Sequence, residues 1–289
     1  MKRGAKAQIP RSSAPDVAGL AARARAVRAA TVSMAHKGRT SHVASALSSV
    51  DILVTLYFHS MRVDPNAPED PTSDRFILSK GHGCMAWFAT LAERGYFPAD
   101  LLGEYSINGG RLAEHPSPGS VPGVDVATGS LGHGLSIAAG MSLARRIDER
   151  PGRTFVVLSD GECNEGSVWE AAMFAARWRL DNLIAIVDYN KWSLDGPTND
   201  IMPIEPLVDK WKAFGWTVYE IDGHDIRQIL DALDLVTKQY GDNKPKCIIA
   251  HTVKGRGVSN WEELHMHLGR GEEMMKGVRE GRATYGNVE

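Results

Sequence analysis

The sequence has little cysteine: Cys84, Cys163 and Cys247 are the only three in 289 residues, far apart and odd in number. They form no CxxC pair and no zinc spacing, which excludes a disulfide scaffold and points to a reduced, cytoplasmic protein. No apolar run approaches the roughly 18 residues that a membrane helix needs. Charge of one sign is also lacking. Thirty-three Lys and Arg against 35 Asp and Glu leave −2, without the basic excess of a nucleic-acid binder. The opening MKRGAKAQIPRSS is basic but carries no apolar stretch, so residues 1–15 read as a flexible N-terminus rather than a secretory signal. Several catalytic patterns are missing too. There is no GxxxxGK[ST], Gly132 and Gly134 form a GxG with no third glycine in place, and neither HExxH nor GxSxG occurs. P-loop, dinucleotide, zinc-protease and α/β-hydrolase readings therefore fall away.

What is present is an ordinary globular composition, 43% hydrophobic and 24% charged. Helical spacing covers Asp16–Lys37, with Gly38 as its expected stop. A second helix is expected over Ser48–Ser60, with Ser48 and Asp51 as a capping box. Residues 75–79 (RFILS) read as a short strand leading through SKGHG into a helix over Cys84–Gly95. Residues 103–134 are dense in Gly and Pro and read as a binding loop, followed by a helix over Leu135–Asp148. Two continuous apolar runs, Thr154–Ser159 (TFVVLS) and Leu183–Asp188 (LIAIVD), have the character of strands buried on both faces. The helical stretch Gly166–Arg179 between them completes a βαβ unit, so the strands should be parallel. Beyond the connection Lys191–Pro206 come a helix (Leu207–Phe214), a strand (Thr217–Ile221), a helix (Asp225–Gln239) and a strand (Lys246–His251). The expected fold class is α/β, an open parallel sheet with helices on both faces, forming one domain over 16–289.

Ligands of open α/β sheets bind beyond the carboxyl ends of the strands. The first clear strand ends in Asp160-Gly161 and the second in Asp188-Tyr189-Asn190, so Asp160 and Asn190 should face one crevice. A carboxylate and an amide oxygen are hard ligands for Mg2+ or Ca2+, and two protein oxygens leave a shell that phosphates can complete. Gly161 permits close approach of a phosphate, and the helix after it adds a positive dipole end. The competing structural reading has Asp160 capping the helix and Asn190 making a turn. His42, His82, His115, His133, His265 and His267 sit in Gly- or Pro-rich or polar stretches. Gathered at one sheet edge they could hold hydroxyls and phosphates and move protons; apart, they are loop-bracing residues.

The segment Asp160-Gly161 through Asp188-Tyr189-Asn190-Lys191 resembles the thiamine diphosphate motif, an acidic-Gly pair followed some thirty residues on by Asn. SKGHG at 79–83, EHPSPGSVPGVDVATGSLGHG at 114–134, SDGECNEGSVWEAAMFA at 159–175, DYNKWSLDGPTNDIMP at 188–203 and AHTVKGRGVSN at 250–260 resemble the N-terminal part of transketolases. A chain of this length is similar to the N-terminal, diphosphate-binding subunit of transketolases split into two chains. The resemblance implies the thiamine diphosphate-binding fold, with that cofactor and Mg2+ (or Ca2+ in its place). It implies metal ligands Asp160, Asn190 and the main-chain carbonyl of Trp192, and Gly161 and His82 at the diphosphate. The turn Gly129, Ser130, Leu131 would meet the aminopyrimidine through its backbone. His42 and His115 would face the ketose, and Glu165 would join a carboxylate pair at a subunit interface, a pairing that raises one pKa.

Three departures stand out. Ser159 replaces a glycine, and TSHVAS around His42 lacks the family's glycines and proline. WEELHMHLG is about a residue shorter than the family's WHG-like element, so its histidine, catalytic and cofactor-facing, is His265 or His267, with His267 favoured. The resemblance further implies a C-terminal partner subunit with the pyrimidine-binding domain, an α2β2 assembly, and sugar or sugar-phosphate substrates. Two alternatives are the α subunit of a 2-oxoacid dehydrogenase or decarboxylase, and a catalytically silent homologue.

Overall fold

The five parallel strands β1 (Arg75–Leu78), β2 (Thr154–Ser159), β3 (Leu183–Tyr189), β4 (Thr217–Asp222) and β5 (Lys246–His251) run side by side in the order β1-β2-β3-β5-β4. This is a computed structural model, and it describes residues 16–239 and 241–258. The N-terminal stretch 1–15, His265, His267 and the rest of the C-terminal tail lie outside the described residues.

Every residue of β2 and β3 is buried, which explains their unbroken apolar runs. Alternate side chains serve two separate cores. Phe155, Val157, Ile184, Ile186 and Ile248 face one apolar layer, whereas Val156, Leu158, Ala185, Val187 and Ile249 face the other. The first layer is closed by α1 (Val17–Gly38), α2 (Val43–Ser48), α3 (Val50–Thr55) and α4 (Cys84–Arg94). The second is closed by α5 (Gly134–Ile147), α6 (Gly166–Arg177) and, beyond the short α7 (Thr198–Ile201), by α8 (Leu207–Ala213). The amphipathic α9 (Ile226–Lys238) returns to the first layer with Ile229, Leu230, Leu233 and Val236 buried. Truncating Phe155, fully buried on β2, to alanine would cost about 3–5 kcal/mol. Residues 105–133 contain no helix or strand, as their glycine and proline content leads one to expect.

Two expectations fail for instructive reasons. The segment expected as one helix from Ser48 to Ser60 begins earlier: α2 and α3 join at Ser49, and Leu56–Ser60 closes as a wider π turn. Ser48 and Asp51 form no capping box. The Ser48 hydroxyl donates to Asp188 at 2.6 Å and Asp51 is claimed by Arg28 and His224, all distant in sequence. α1 does end at Gly38, its last helical residue, and Arg39 after it takes the left-handed conformation (φ 52°). Glycine is needed at 38 for packing, since a Cβ there would lie 2.9 Å from the Tyr105 carbonyl oxygen.

Candidate active site

The carboxyl ends of four strands deliver polar residues to a single edge. β1 runs into Ser79-Lys80-Gly81-His82, β2 into Asp160, β3 into Asn190, and β5 into Thr252 and Lys254. The register pairs Ser159 with Asp188 and Asp188 with Ala250, so these ends lie at one level.

Asp160 is buried. Its Oδ1 accepts from the Gly161 amide at 2.9 Å, and its Oδ2 accepts from the Lys191 amide at 2.6 Å and the Thr198 hydroxyl at 3.2 Å. Lys191 adopts a left-handed backbone (φ 69°) as it donates this bond. Burial, then the nearby Asp188 carboxylate, push Asp160 up to about 6. Among the described residues no cation pairs with Asp160, so a bound cation would relieve this cost. Asn190 Oδ1 accepts from the Trp192 amide at 3.0 Å. Both halves of the bland alternative, a helix-starting Asp160 and a turn-making Asn190, thus exist in the geometry, and they set the two oxygens in place. Among the described residues no three His, Cys, Asp or Glu side chains form a metal cage. One carboxylate with amide and carbonyl oxygens is the donor set of a hard cation whose shell a phosphate ligand completes.

Gly161 supports the same fit. Its φ is not positive, and a Cβ there would reach Ser193 only at an ordinary 3.6 Å. Neither backbone nor packing within the chain demands glycine, which leaves close approach of a ligand as the reason for it. Ser159 turns its hydroxyl to the Glu162 amide (3.3 Å).

The histidines do converge. His42 caps α2 in a left-handed conformation (φ 69°), and its ring lies 5.3 Å from that of His82 and 6.4 Å from that of His115. His82 Nε2 is 3.0 Å from the Ser45 hydroxyl. Burial lowers the pKa of both His42 and His82, reinforced at His82 chiefly by Lys80 and at His42 by His115, so both rings are neutral near pH 7. His115 leans on Gly129, where a Cβ would lie 2.4 Å from the imidazole and φ is 135°. His133 stands apart, exposed, with Nδ1 near the Ser130 hydroxyl and the Leu131 carbonyl.

The turn Gly129–Ser130–Leu131 is held from two sides. Gly81 packs so closely on it that a Cβ would sit 2.6 Å from the Thr128 carbonyl carbon. Glu162 Oε1 accepts from the Gly132 amide at 2.8 Å and from the Ser79 hydroxyl, while Oε2 accepts from the Ser159 amide at 3.1 Å. Glu165 opens α6, exposed and next to Gly132.

Four residues escaped the sequence reading. Glu162 ties two strand ends to the turn. Lys80 and Asp188 form a buried ion pair, joined by the Ser48 and Thr252 hydroxyls. Lys254 is buried, donates to the Ser193 carbonyl at 3.0 Å, and has its ammonium 5.8 Å from the centre of the Trp192 ring. Burial brings it down to about 8, with Asp160 opposing that shift. The only prior signals were the places of Lys80, Glu162 and Lys254 beside the glycines of SKGHG, SDGE and VKGRG, and of Asp188 at the end of the LIAIVD run.

Comparison with known proteins agrees with this geometry. Residues 20–287 match the family described as transketolase, thiamine diphosphate binding domain. A 6-deoxy-6-sulfo-D-fructose transketolase subunit of Clostridium sp. (strain MSTE9) is 45% identical over 236 residues, covering 82% of this chain and 85% of that one. An apulose-4-phosphate transketolase subunit of Actinobacillus succinogenes is 40% identical over 262 residues, covering 89% and 94%. The transketolase structure from Leishmania mexicana superposes with a TM-score of 0.81 at 28% identity, covering 92% of this chain and 44% of the other. That from Campylobacter jejuni gives 0.82 at 26%, covering 93% and 43%. This chain therefore spans less than half of the solved transketolases, yet most of the length of the two transketolase subunits. It belongs to the transketolase family as a thiamine diphosphate-binding enzyme subunit, with that cofactor and a divalent metal ion.

Proposed function

We propose that this chain holds thiamine diphosphate and Mg2+ at the carboxyl edge of its sheet and, with a second subunit, transfers a two-carbon ketol unit from a ketose to an aldose. The observation that carries this is Asp160, buried and unpaired with any described cation, with Asn190 at the end of the adjoining strand and three histidines converging on one another at the His82 loop after β1. Asp160, Asn190 and the Trp192 carbonyl hold the metal. Gly161, His82 and Lys254 receive the diphosphate: the first by its bare backbone, the second as a neutral donor, the third as a cation. Gly129, Ser130 and Leu131 offer backbone groups to the aminopyrimidine, their turn stiffened by Glu162 and Gly81. When bound, the cofactor supplies the carbon nucleophile and the electron sink for breaking the bond between C2 and C3 of the ketose. His42 and His115 hold the sugar hydroxyls, and a neutral His42 can take up a proton from one of them.

The partner carries the pyrimidine-binding half, including the carboxylate that protonates the aminopyrimidine, in an α2β2 assembly. Subunit names among the relatives and the 44% coverage of a whole transketolase support it. Glu165, exposed at the start of α6, faces that partner. The relatives act on a sulfonated sugar and a sugar phosphate, by their names. Lys80 is engaged by Asp188 and Lys254 is given to the diphosphate, and the anchor proposed for an anionic sugar tail is on the partner. The transketolase names of these relatives favour that activity over a silent homologue and over the 2-oxoacid dehydrogenase reading. His267 is proposed as a catalytic, cofactor-facing histidine, and residues 16–289 as a single domain. The three cysteines are free and buried, and no described helix is long and apolar enough to cross a membrane, in keeping with a cytoplasmic location. Calorimetric titration of the chain with thiamine diphosphate and Mg2+ tests the cofactor site. Saturable binding that Asp160→Ala removes is expected, and binding indifferent to Asp160 would overturn it.

A further inference from the structure

A buried line of polar groups ends on the segment that carries Lys254. Arg28 of α1 donates through both terminal nitrogens to Asp51 of α3. Asp51 Oδ2 lies 2.8 Å from Nδ1 of His224, in the turn between β4 and α9. His224 Nε2 lies 2.8 Å from the amide nitrogen of Val253. A backbone amide can only donate, so Nε2 is an acceptor, and the ring is neutral with its proton on Nδ1, given to Asp51. Burial works against the Asp51 carboxylate, yet the bonds from His224 and Arg28 hold it below its ordinary value, so it remains the acceptor that fixes this tautomer.

The residue so held stands between two that face the site. Thr252 donates its hydroxyl to Asp188, and Lys254 reaches Ser193 beside the metal-binding loop. The neighbouring amides bond to backbone carbonyls: Thr252 to Tyr189 at 3.1 Å, and Gly255 to Ala44 at 2.8 Å. At Val253 the acceptor is instead a side chain, fastened through Asp51 to α3, which follows directly on the helix that carries Ser45 and is capped by His42. Gly223, just before His224, fits against the same segment, where a Cβ would meet Thr252 Cγ2 at 2.5 Å.

We propose that His224 is a positioning residue of the cofactor site: by accepting the Val253 amide in its Nδ1-protonated form, it sets where Thr252 and Lys254 stand, without touching the cofactor itself. The inference rests on the role given above to Lys254 at the diphosphate. Two substitutions separate its bonds. In His224→Asn, the amide nitrogen replaces Nδ1 and keeps the Asp51 contact, but nothing accepts from Val253. In His224→Gln, an oxygen reaches the Nε2 position and accepts from Val253, while the Asp51 contact is given up.

The test is thiamine diphosphate affinity of the full chain with Mg2+, followed by tryptophan fluorescence or calorimetry, beside thermal melting and amide hydrogen exchange. The expected result is about tenfold weaker binding and faster exchange at Val253 in His224→Asn, with His224→Gln near the parent. A merely structural histidine would lower the melting temperature in both variants and leave affinity unchanged, and that result would overturn the proposal. Should His224→Asn not fold, 15N-histidine NMR of the parent chain still decides: a proton on Nε2 of His224 contradicts the assignment. Failure of the parent to bind thiamine diphosphate would strike the cofactor site instead. Exchange at Val253, compared between the two variants, would then still confirm or refute the hold of His224 on this segment.

Discussion

Lys80 and Asp188 form an ion pair from which water is wholly excluded, with both side chains at 0% exposure. The pair bridges the ends of β1 and β3, and Lys80 also donates to the Ser45 carbonyl at 2.6 Å, which fastens α2 to the sheet edge. One side of this pair thus holds the helix that His42 caps. The other sets the electrostatic environment of Asp160.

Removing one partner leaves the other charge buried. Lys80→Ala should destabilise the metal-free chain by about 3–5 kcal/mol in chemical denaturation, because Asp188 keeps only hydroxyl partners. A loss under about 1 kcal/mol would mean that water reaches the pair.

The pH dependence follows from Asp160, whose folded value of about 6 lies above the ordinary 3.8. On unfolding, the carboxyl gives up its proton more readily. Its contribution to the stability of the metal-free chain therefore falls as pH rises from about 4 to about 6 and is level above that. Cation binding needs the ionised form, so Mg2+-dependent cofactor affinity should be lost as pH falls through about 6, about tenfold per unit below it. Titrations between pH 5 and 8 check this. Asp188→Asn should move the loss to lower pH by removing the second cause of the shift.

Two glycines should respond in opposite ways. Gly161→Ala should leave melting almost unchanged, within about 0.5 kcal/mol, because the chain has room for the methyl group, yet it should weaken thiamine diphosphate at least tenfold by roughly a methyl's clash. Gly81→Ala drives a Cβ into the Thr128 backbone and should destabilise by about 1–3 kcal/mol before any ligand is added. Equal behaviour of the two variants would contradict the distinction between a ligand-facing and a packing glycine.

Glu162→Gln replaces an acceptor of three donors by a group that must turn an amide N–H toward one of them. The expected cost is about 1–3 kcal/mol in stability, with weaker cofactor binding as the Gly129–Leu131 turn loosens. Unchanged melting would mean that the carboxyl is protonated, in accord with the upward push of burial on Glu162.

The sheet was legible because TFVVLS and LIAIVD are buried on both faces and so lack the alternation that could confuse them with surface strands. Asp160 and Asn190 were legible for the same reason: once those strands are placed, their carboxyl ends are placed. The convergence of His42, His82 and His115 was not, since each lies on a different loop and only packing of α2 and of the Thr128–Gly129 turn on the segment after β1 brings them together. Charged residues hid best. Lys80, Asp188 and Lys254 look like solvated surface charges in a sequence, and their partners lie up to 140 residues away. Ser48 and Asp51 show the same limit from the other side, as a plausible local cap was overridden by bonds to Asp188, Arg28 and His224.

The central claim is that this chain binds the cofactor but cannot turn over without a second subunit. A coupled ketol-transfer assay with xylulose 5-phosphate, ribose 5-phosphate, thiamine diphosphate and Mg2+, run on the chain alone and with its copurifying partner, tests it most directly. Turnover only with the partner, abolished by Asp160→Ala, is the expected result; turnover by the chain alone would contradict it.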